Sequence, residues 1–293
     1  MTDCGGRAPS WLPSFHEGLC NACLEASFAE LPQVVSDAGG NAEIIVDGKT
    51  GFTGGLNVGD EYLGLDPDMG PWRDTHVELR GPVVDVLEEE FERAWAHAGP
   101  FGDAGLVLST LQPGDSNSED VGYPLRVLHT RPGDAEIFRA QRAAIRNSRK
   151  YIYIQNAYFT SDDIIFELAQ ARRRGVDVRI IIPYQSDSGI ITRSNVRAIN
   201  TMLDNGIRVF IYPGESHIKG AIYDGWICLG SANFDQLSLR MNKELNIATS
   251  SPVAVQGFLD MVMLPDFEKS VELKEQLPKK WSDFLMETIA DQL

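Results

Sequence analysis

Ser216-His217-Ile218-Lys219-Gly220-Ala221-Ile222-Tyr223-Asp224-Gly225, followed by Gly230-Ser231-Ala232-Asn233, is the stretch on which the reading of this chain turns. It has the pattern of strand, turn, strand. Successive side chains of a strand face opposite ways, so His217 and Lys219 share one side and point toward a common site. Lysine offers a point charge to phosphoryl oxygens, and Ser231, Asn233 and local N–H groups can donate hydrogen bonds. An imidazole serves as nucleophile or general acid near neutral pH. A lone histidine at a strand end would say little, but His-x-Lys-x4-Asp with Gly-Ser-x-Asn beyond it points to phosphodiester chemistry.

A broken copy stands upstream. Ile44-Ile45-Val46-Asp47-Gly48 leads to Gly54-Gly55-Leu56-Asn57 and Tyr62, parallel to Asp224 through Asn233, so the unit is duplicated. Counting back from Asp47, the histidine position holds Gly40 and the lysine position holds Ala42, and neither supplies a lone pair or a charge. On these residues the chain resembles the phospholipase D superfamily, and within it the bacterial cardiolipin synthase branch, over residues 43 to 275.

The resemblance implies an α/β fold of two pseudo-twofold-related halves, each a mixed sheet flanked by helices, with the first half incomplete. It also implies two histidines, one attacking phosphorus and one protonating the leaving oxygen, each oriented by an acid from the opposite half. By position Asp74 is the acid for His217, and Glu244 the acid for the missing first histidine, which makes His217 the acid/base. The implied catalytic set is His217, Lys219, Asp224, Asn233, Ser231, Glu244 and Asp74, with Asp47 and Asn57 as remnants of the first motif. The implied reaction is phosphatidyl transfer between phospholipids such as phosphatidylglycerol through a phosphohistidine, without cofactor or metal. Two rival expectations follow from the lost residues: an inactive family member, or a homodimer in which each chain contributes His217. Three departures bear on the site. Five residues separate Asp224 from Gly230 where Asp47 and Gly54 are separated by six, Leu237 stands where the family has arginine, and Lys243 replaces an aromatic residue.

The 293 residues are 43% hydrophobic and 23% charged, enough for a sizeable core. A net charge of −16 disfavours nucleic acid as partner, because duplex affinity comes largely from Lys and Arg on phosphates. Arg172-Arg173-Arg174 reads as a solvated helix end. No run of 18 apolar residues occurs, so the expected location is cytoplasmic, with peripheral contact at the inner membrane face.

Three of four cysteines, Cys4, Cys20 and Cys23, fall in the first 39 residues. With His16 they have the number but not the spacing of a zinc site, and free thiols are the simpler reading. Residues 1–42 are read as an atypical segment from a frameshift, recombination or misread start, for which an intact His-x-Lys in another frame of the coding DNA is the test. Residues 43–101 are read as the remnant of the first half, 102–128 as a linker with the polar run Gln112 to Asp120, and 129–293 as the second half.

Within the second half, Asp134 caps a predicted helix carrying Ile137, Phe138 and Ile145. Strands are expected at Tyr151–Ile154, Val176–Ile182 and Ile207–Tyr212, and helices from Ser161 to Gly175 and from Ser194 to Gly206. Earlier, Thr75–Gly81 reads as a strand and Pro82–His97 as a helix. Near-continuous apolar strands alternating with helices predict a largely parallel sheet covered on both faces. Tyr158-Phe159 and Pro183 to Ser188 follow strand ends, where open sheets place ligands, and the resemblance puts them along a substrate cleft.

Overall fold

In the computed structural model, residues 50–56, 72–96, 125–183 and 189–277 are described below. Asp47, Asn57, Gly40, Ala42, the N-terminal cysteines and Tyr184 to Ser188 lie outside them.

Nine strands form one sheet in the order β11-β7-β6-β5-β8-β9-β10-β3-β4. Their ranges are β3 Leu125–Arg131, β4 Asp134–Ala135, β5 Tyr151–Asn156, β6 Asp177–Pro183, β7 Arg208–Tyr212, β8 Lys219–Tyr223, β9 Trp226–Gly230, β10 Glu244–Thr249 and β11 Val271–Glu272. A separate antiparallel pair joins β1 Thr50–Gly54 to β2 His76–Arg80. β3 begins inside the stretch read as a linker, and as the partner of β10 it is an inner strand.

The sheet is mixed rather than largely parallel. Only β5–β6 and β6–β7 run parallel, while every other pairing is antiparallel. The apolar runs report burial on two faces, not direction, and the two-residue turn between β8 and β9 is too short for a parallel crossover.

Alternation along β8 assigns the two faces. Ala221 and Tyr223 join the larger core with Ile152, Ile154, Val178, Ile180 and Val209. Helices α2 Glu136–Asn147, α3 Asp162–Arg173 and α4 Gly189–Asp204 cover that side through Ile137, Ile145, Ile164, Leu168, Ile199 and Met202. Ile222 faces the other way, into a second core with Leu229, Ile247, Val255, Phe258 and Met263. Leu79 of β2 and Leu87 of α1 Val83–Ala96 complete this core, so β2 and α1 pack onto the sheet.

Local signals hold with small shifts. Gly175 and Gly206, at φ +90° and +71°, stop α3 and α4 as left-handed glycines should. Asp134 does not cap α2, whose N-cap is Ala135. It sits in β4, where its carboxylate meets His129 Nε2 at 2.9 Å and Arg139 Nη2 at 2.7 Å. α4 begins at Gly189, one turn and more before Ser194. The helical run after Ser251 comprises α6 Pro252–Phe258, a π-helical turn at Leu259–Met263, and α7 Leu264–Lys269. No helix among the described residues is long and apolar enough to cross a membrane.

Candidate active site

Register places the sequence motifs at one end of the sheet. Lys219 starts β8 beside Asn156, the last residue of β5, and Gly230 ends β9 opposite Asn246 near the start of β10. His217 therefore enters, Ser231 and Asn233 leave, and Glu244 begins its strand at a common edge. The C-terminal ends of β5, β6 and β7 share that edge, where ligands sit in open α/β sheets.

Asp224 is at the other end, about 16 Å from Lys219 along five strand residues. It occupies a two-residue turn with Gly225 between the paired Tyr223 and Trp226, which absorbs the shortened spacing to Gly230. Its φ is +54°, a conformation that Asp tolerates better than most residues. Its carboxylate accepts the N–H groups of Arg149, Lys150 and Tyr151 at 2.9, 3.0 and 2.9 Å. Burial alone would raise its pKa, but these bonds outweigh it and hold the carboxyl below its ordinary value. The geometry makes Asp224 the anchor that ties β8 to the start of β5.

His217 and Asp74 do meet, from sequence positions 143 residues apart. His217 Nδ1 lies 3.0 Å from Asp74 Oδ2 and 2.8 Å from the carbonyl oxygen of Gly55. Both partners are acceptors, so Nδ1 carries the proton. The Asp74 side chain is fully buried and His217 12% exposed, with the Trp72 indole tilted against the imidazole at 5.8 Å. A short parallel ladder sets the approach: Arg73 N–H donates to Glu215 O at 3.1 Å, and His217 N–H donates to Arg73 O at 2.8 Å.

The duplication read from sequence is visible as a repeated hydrogen-bond frame. Gly54 pairs with His76, and the N–H of Gly55 donates to Thr75 O at 3.0 Å. Gly230 pairs with Asn246, and the N–H of Ser231 donates to Leu245 O at 3.0 Å. In each copy the acid stands two residues before the partner of the motif glycine: Asp74 in the first, Glu244 in the second. Both glycines are sterically required, since a Cβ on Gly54 or Gly230 would come within 2.4 or 2.3 Å of the facing carbonyl oxygen.

The two acids have different partners. Where Asp74 holds an imidazole, Glu244 accepts the Ser231 hydroxyl at 2.6 Å. Burial pushes the Glu244 carboxyl up to about 7, opposed by that hydrogen bond, reinforced by Asp235 and again opposed by Lys219. Lys219 is buried and donates to His217 O at 2.8 Å. Asp235 caps α5 Gln236–Arg240 by accepting Ser238 N–H at 2.7 Å, and burial raises its pKa too. Asn233 Oδ1 is buried with no hydrogen-bond partner among the described residues. Phe159, placed along a cleft by the resemblance, is instead core: it is fully buried and stacked on Phe234 at 4.9 Å.

Two expectations follow. A methyl on Gly55 would reach within 2.4 Å of Asp74 Oδ1, so Gly55→Ala should displace the carboxylate from His217 and lower phosphodiester turnover by about 100-fold. An unchanged kcat in that variant would show that the Asp74–His217 contact does not limit the reaction. Unfolded Glu244 ionises near 4.5 and folded Glu244 near 7, so between those values only the unfolded state sheds its proton. Stability should fall as pH rises through this window and level off above it. Melting curves from pH 4.5 to 8 should show a shallower slope in Glu244→Gln, with Asp235 accounting for the remainder; equal slopes would contradict the assignment.

Residues 142–262 match the family described as cardiolipin synthase, PLD-like domain. Residues 142–262 are thus similar to a phospholipase D-like domain. Among curated relatives, cardiolipin synthase A of Pseudomonas fluorescens (strain SBW25) is 37% identical over 241 residues, covering 80% of this chain and 48% of the relative. Cardiolipin synthase A of Pseudomonas putida (strain W619) is 36% identical over 240 residues, covering 78% and 47%. The chain thus spans about half the length of the curated relatives it matches. The fold resembles that of phosphatidylserine synthase from Haemophilus influenzae Rd KW20, with a TM-score of 0.63 at 13% identity over 84% of this chain and 66% of that one. Residues 10–55 match a different family, glycosyl transferases group 1.

Beyond the motif, Gly55, Trp72, Arg73 and Asp266 were not singled out by the sequence. Gly55 had a signal, as the counterpart of Ser231. Asp266 had none, being one acid in an amphipathic helix.

Proposed function

We propose that this site is the acid–base half of a phosphatidyl-transfer centre of the cardiolipin synthase type, acting on the phosphodiester of a phospholipid such as phosphatidylglycerol. The observation that carries the reading is the shared Nδ1 proton of His217, held by Asp74 and Gly55 O, which aims Nε2 outward to protonate a leaving alcohol. Lys219, Ser231 and Asn233 stand at the same sheet edge as ligands for phosphoryl oxygens. In the full reaction a second imidazole attacks phosphorus, the P–O bond to the first alcohol breaks, and that oxygen takes the His217 proton. The acceptor alcohol then attacks the phosphohistidine, giving up its proton to His217 Nε2, and frees the nucleophile.

The second imidazole belongs at position 40, where glycine stands. The likeness of residues 10–55 to glycosyl transferases group 1 supports reading residues 1–42 as sequence of another source, although the matched stretch runs on through Asp47, Gly54 and Gly55 of the first motif. A homodimer supplying one His217 per chain is the weaker alternative, because the remnant of the first half already packs on the sheet and supplies Asp74.

Phosphatidyl transfer and phosphodiester hydrolysis should be assayed in the native chain and in Gly40→His/Ala42→Lys. Low native turnover that rises in the double variant supports the reading, with contact at a lipid surface as its physical setting. Silence in both assigns the chain to inactive family members, and native turnover accompanied by a dimer mass assigns it to the two-chain arrangement.

A further inference from the structure

Asp266 of α7 stands far outside the sequence motifs, yet it reaches the chain next to both members of the His217–Asp74 pair, directly at Arg73 and through Gln155 at Ser216. Its side chain is fully buried. Oδ2 accepts Arg73 Nε at 2.6 Å and Gln155 Nε2 at 3.0 Å. The same Gln155 Nε2 donates to Ser216 Oγ at 2.9 Å. Arg73 immediately precedes Asp74, and Ser216 immediately precedes His217, so one carboxylate grips both strands of the short ladder one residue before the pair. A second grip comes from the π-helical turn, whose Met261 carbonyl accepts Arg73 Nη2 at 3.3 Å. That turn carries one residue more per backbone hydrogen-bonded loop than an α-helix, which sets the rotation at which α7 aims Asp266 inward.

We infer that Asp266 is a positioning residue for the His217–Asp74 pair, fixing through Arg73 and Gln155 the alignment that puts the proton on His217 Nδ1 and turns Nε2 toward substrate. Folding alone gives little reason for a carboxylate here. A buried ion pair is seldom more stable than apolar packing of the same volume, and Asp266 Oδ1 has no hydrogen-bond partner among the described residues, which costs further. A directional bond to Arg73, and one to Gln155 that is passed on to Ser216, are what apolar packing would not supply. The cluster is also electrostatically tight: burial raises the Tyr212 phenol of β7, Asp266 adds to that rise and Arg73 opposes it, so the phenol stays neutral beside the ion pair.

The catalytic meaning of this alignment rests on the function proposed above, but the alignment itself does not, and it is read first. Nitrogen and proton NMR of the imidazoles in the whole chain, with His217 assigned by its loss in His217→Gln, should show a far-downfield Nδ1 proton in the native protein. Asp266→Asn keeps the shape and removes the charge that holds Arg73. It should abolish or broaden that signal and let the ring exchange tautomers. Where turnover is measurable, kcat should fall about 10- to 100-fold with KM changed less than about twofold. Arg73→Lys, which keeps the charge and loses the fork, should fall between the two. A downfield Nδ1 signal unchanged in Asp266→Asn below its melting temperature overturns the inference and leaves Asp266 a fold element. If Asp266→Asn does not fold, the same signal in Arg73→Gln decides, its guanidinium being 29% exposed and its loss milder. A changed signal with no turnover in any form supports positioning and counts against the proposed function alone.

Discussion

Replacing His217 by alanine should lower phosphodiester turnover by about 10⁴-fold or more in the Gly40→His/Ala42→Lys background. The magnitude follows from what the imidazole does. Without it the leaving alkoxide departs unprotonated, and no second group at this edge holds a proton in the same orientation: the Glu244 carboxyl is bonded to Ser231 and Lys219 donates to the backbone of residue 217. The fold should survive, because the ring is at the end of a strand whose core neighbours are Ala221, Ile222 and Tyr223. A loss of tenfold or less, with an intact melting transition, would remove His217 from the chemistry. The background of the double variant matters, since a chain already lacking one imidazole leaves little activity to lose.

Asp224→Ala should do the reverse, costing stability rather than acting on the reaction directly. Three backbone N–H groups lose a charged acceptor at once, and hydrogen bonds to charged groups contribute about 1.5–3 kcal/mol each before water replaces them. The N–H groups of Arg149 and Lys150 are near solvent, so a net loss of about 2–4 kcal/mol is expected by urea denaturation. Alanine is also poorly suited to a φ of +54°, whereas Asn tolerates it and keeps one acceptor, so Asp224→Asn should recover part of the loss. The carboxyl is held below its ordinary pKa, so its contribution is complete at neutral pH and disappears as acid titrates the folded protein. Equal stability of Asp224→Ala and native chain would refute the anchoring role. If the turnover of Asp224→Ala fell further than that of His217→Ala, the site would have to include the far end of β8.

Much of this molecule was legible in the chain. Every helix and strand inferred between residues 134 and 212 is present, because apolar spacing and glycine stops act through neighbours a few residues away. The pairing of Asp74 with His217 was legible only through the resemblance. No local pattern links two residues 143 positions apart, and the contact exists because the Arg73 to Ser216 ladder brings the halves together. The three strands read between helices, β5, β6 and β7, do run parallel, but the sheet as a whole is mixed, because an apolar run is the same in either orientation and β8, β9, β10 and β3 join antiparallel. Asp224 was grouped with His217 by its spacing, but five residues of extended strand carry it to the opposite edge of the sheet.

The sequence by itself determined the chemistry that is available: one imidazole, one lysine, a Ser/Asn pair, and nothing reactive at positions 40 and 42, since residue identity is a covalent fact that folding cannot alter. Tertiary structure alone decided which acid meets that imidazole, which nitrogen of the ring carries the proton, and that Asp224 anchors a turn. It also decided that a helix near the end of the described chain, through Asp266, holds both sides of the pair. Those are questions of distance and direction between remote segments, and they are answered only when the two cores on either face of the sheet close.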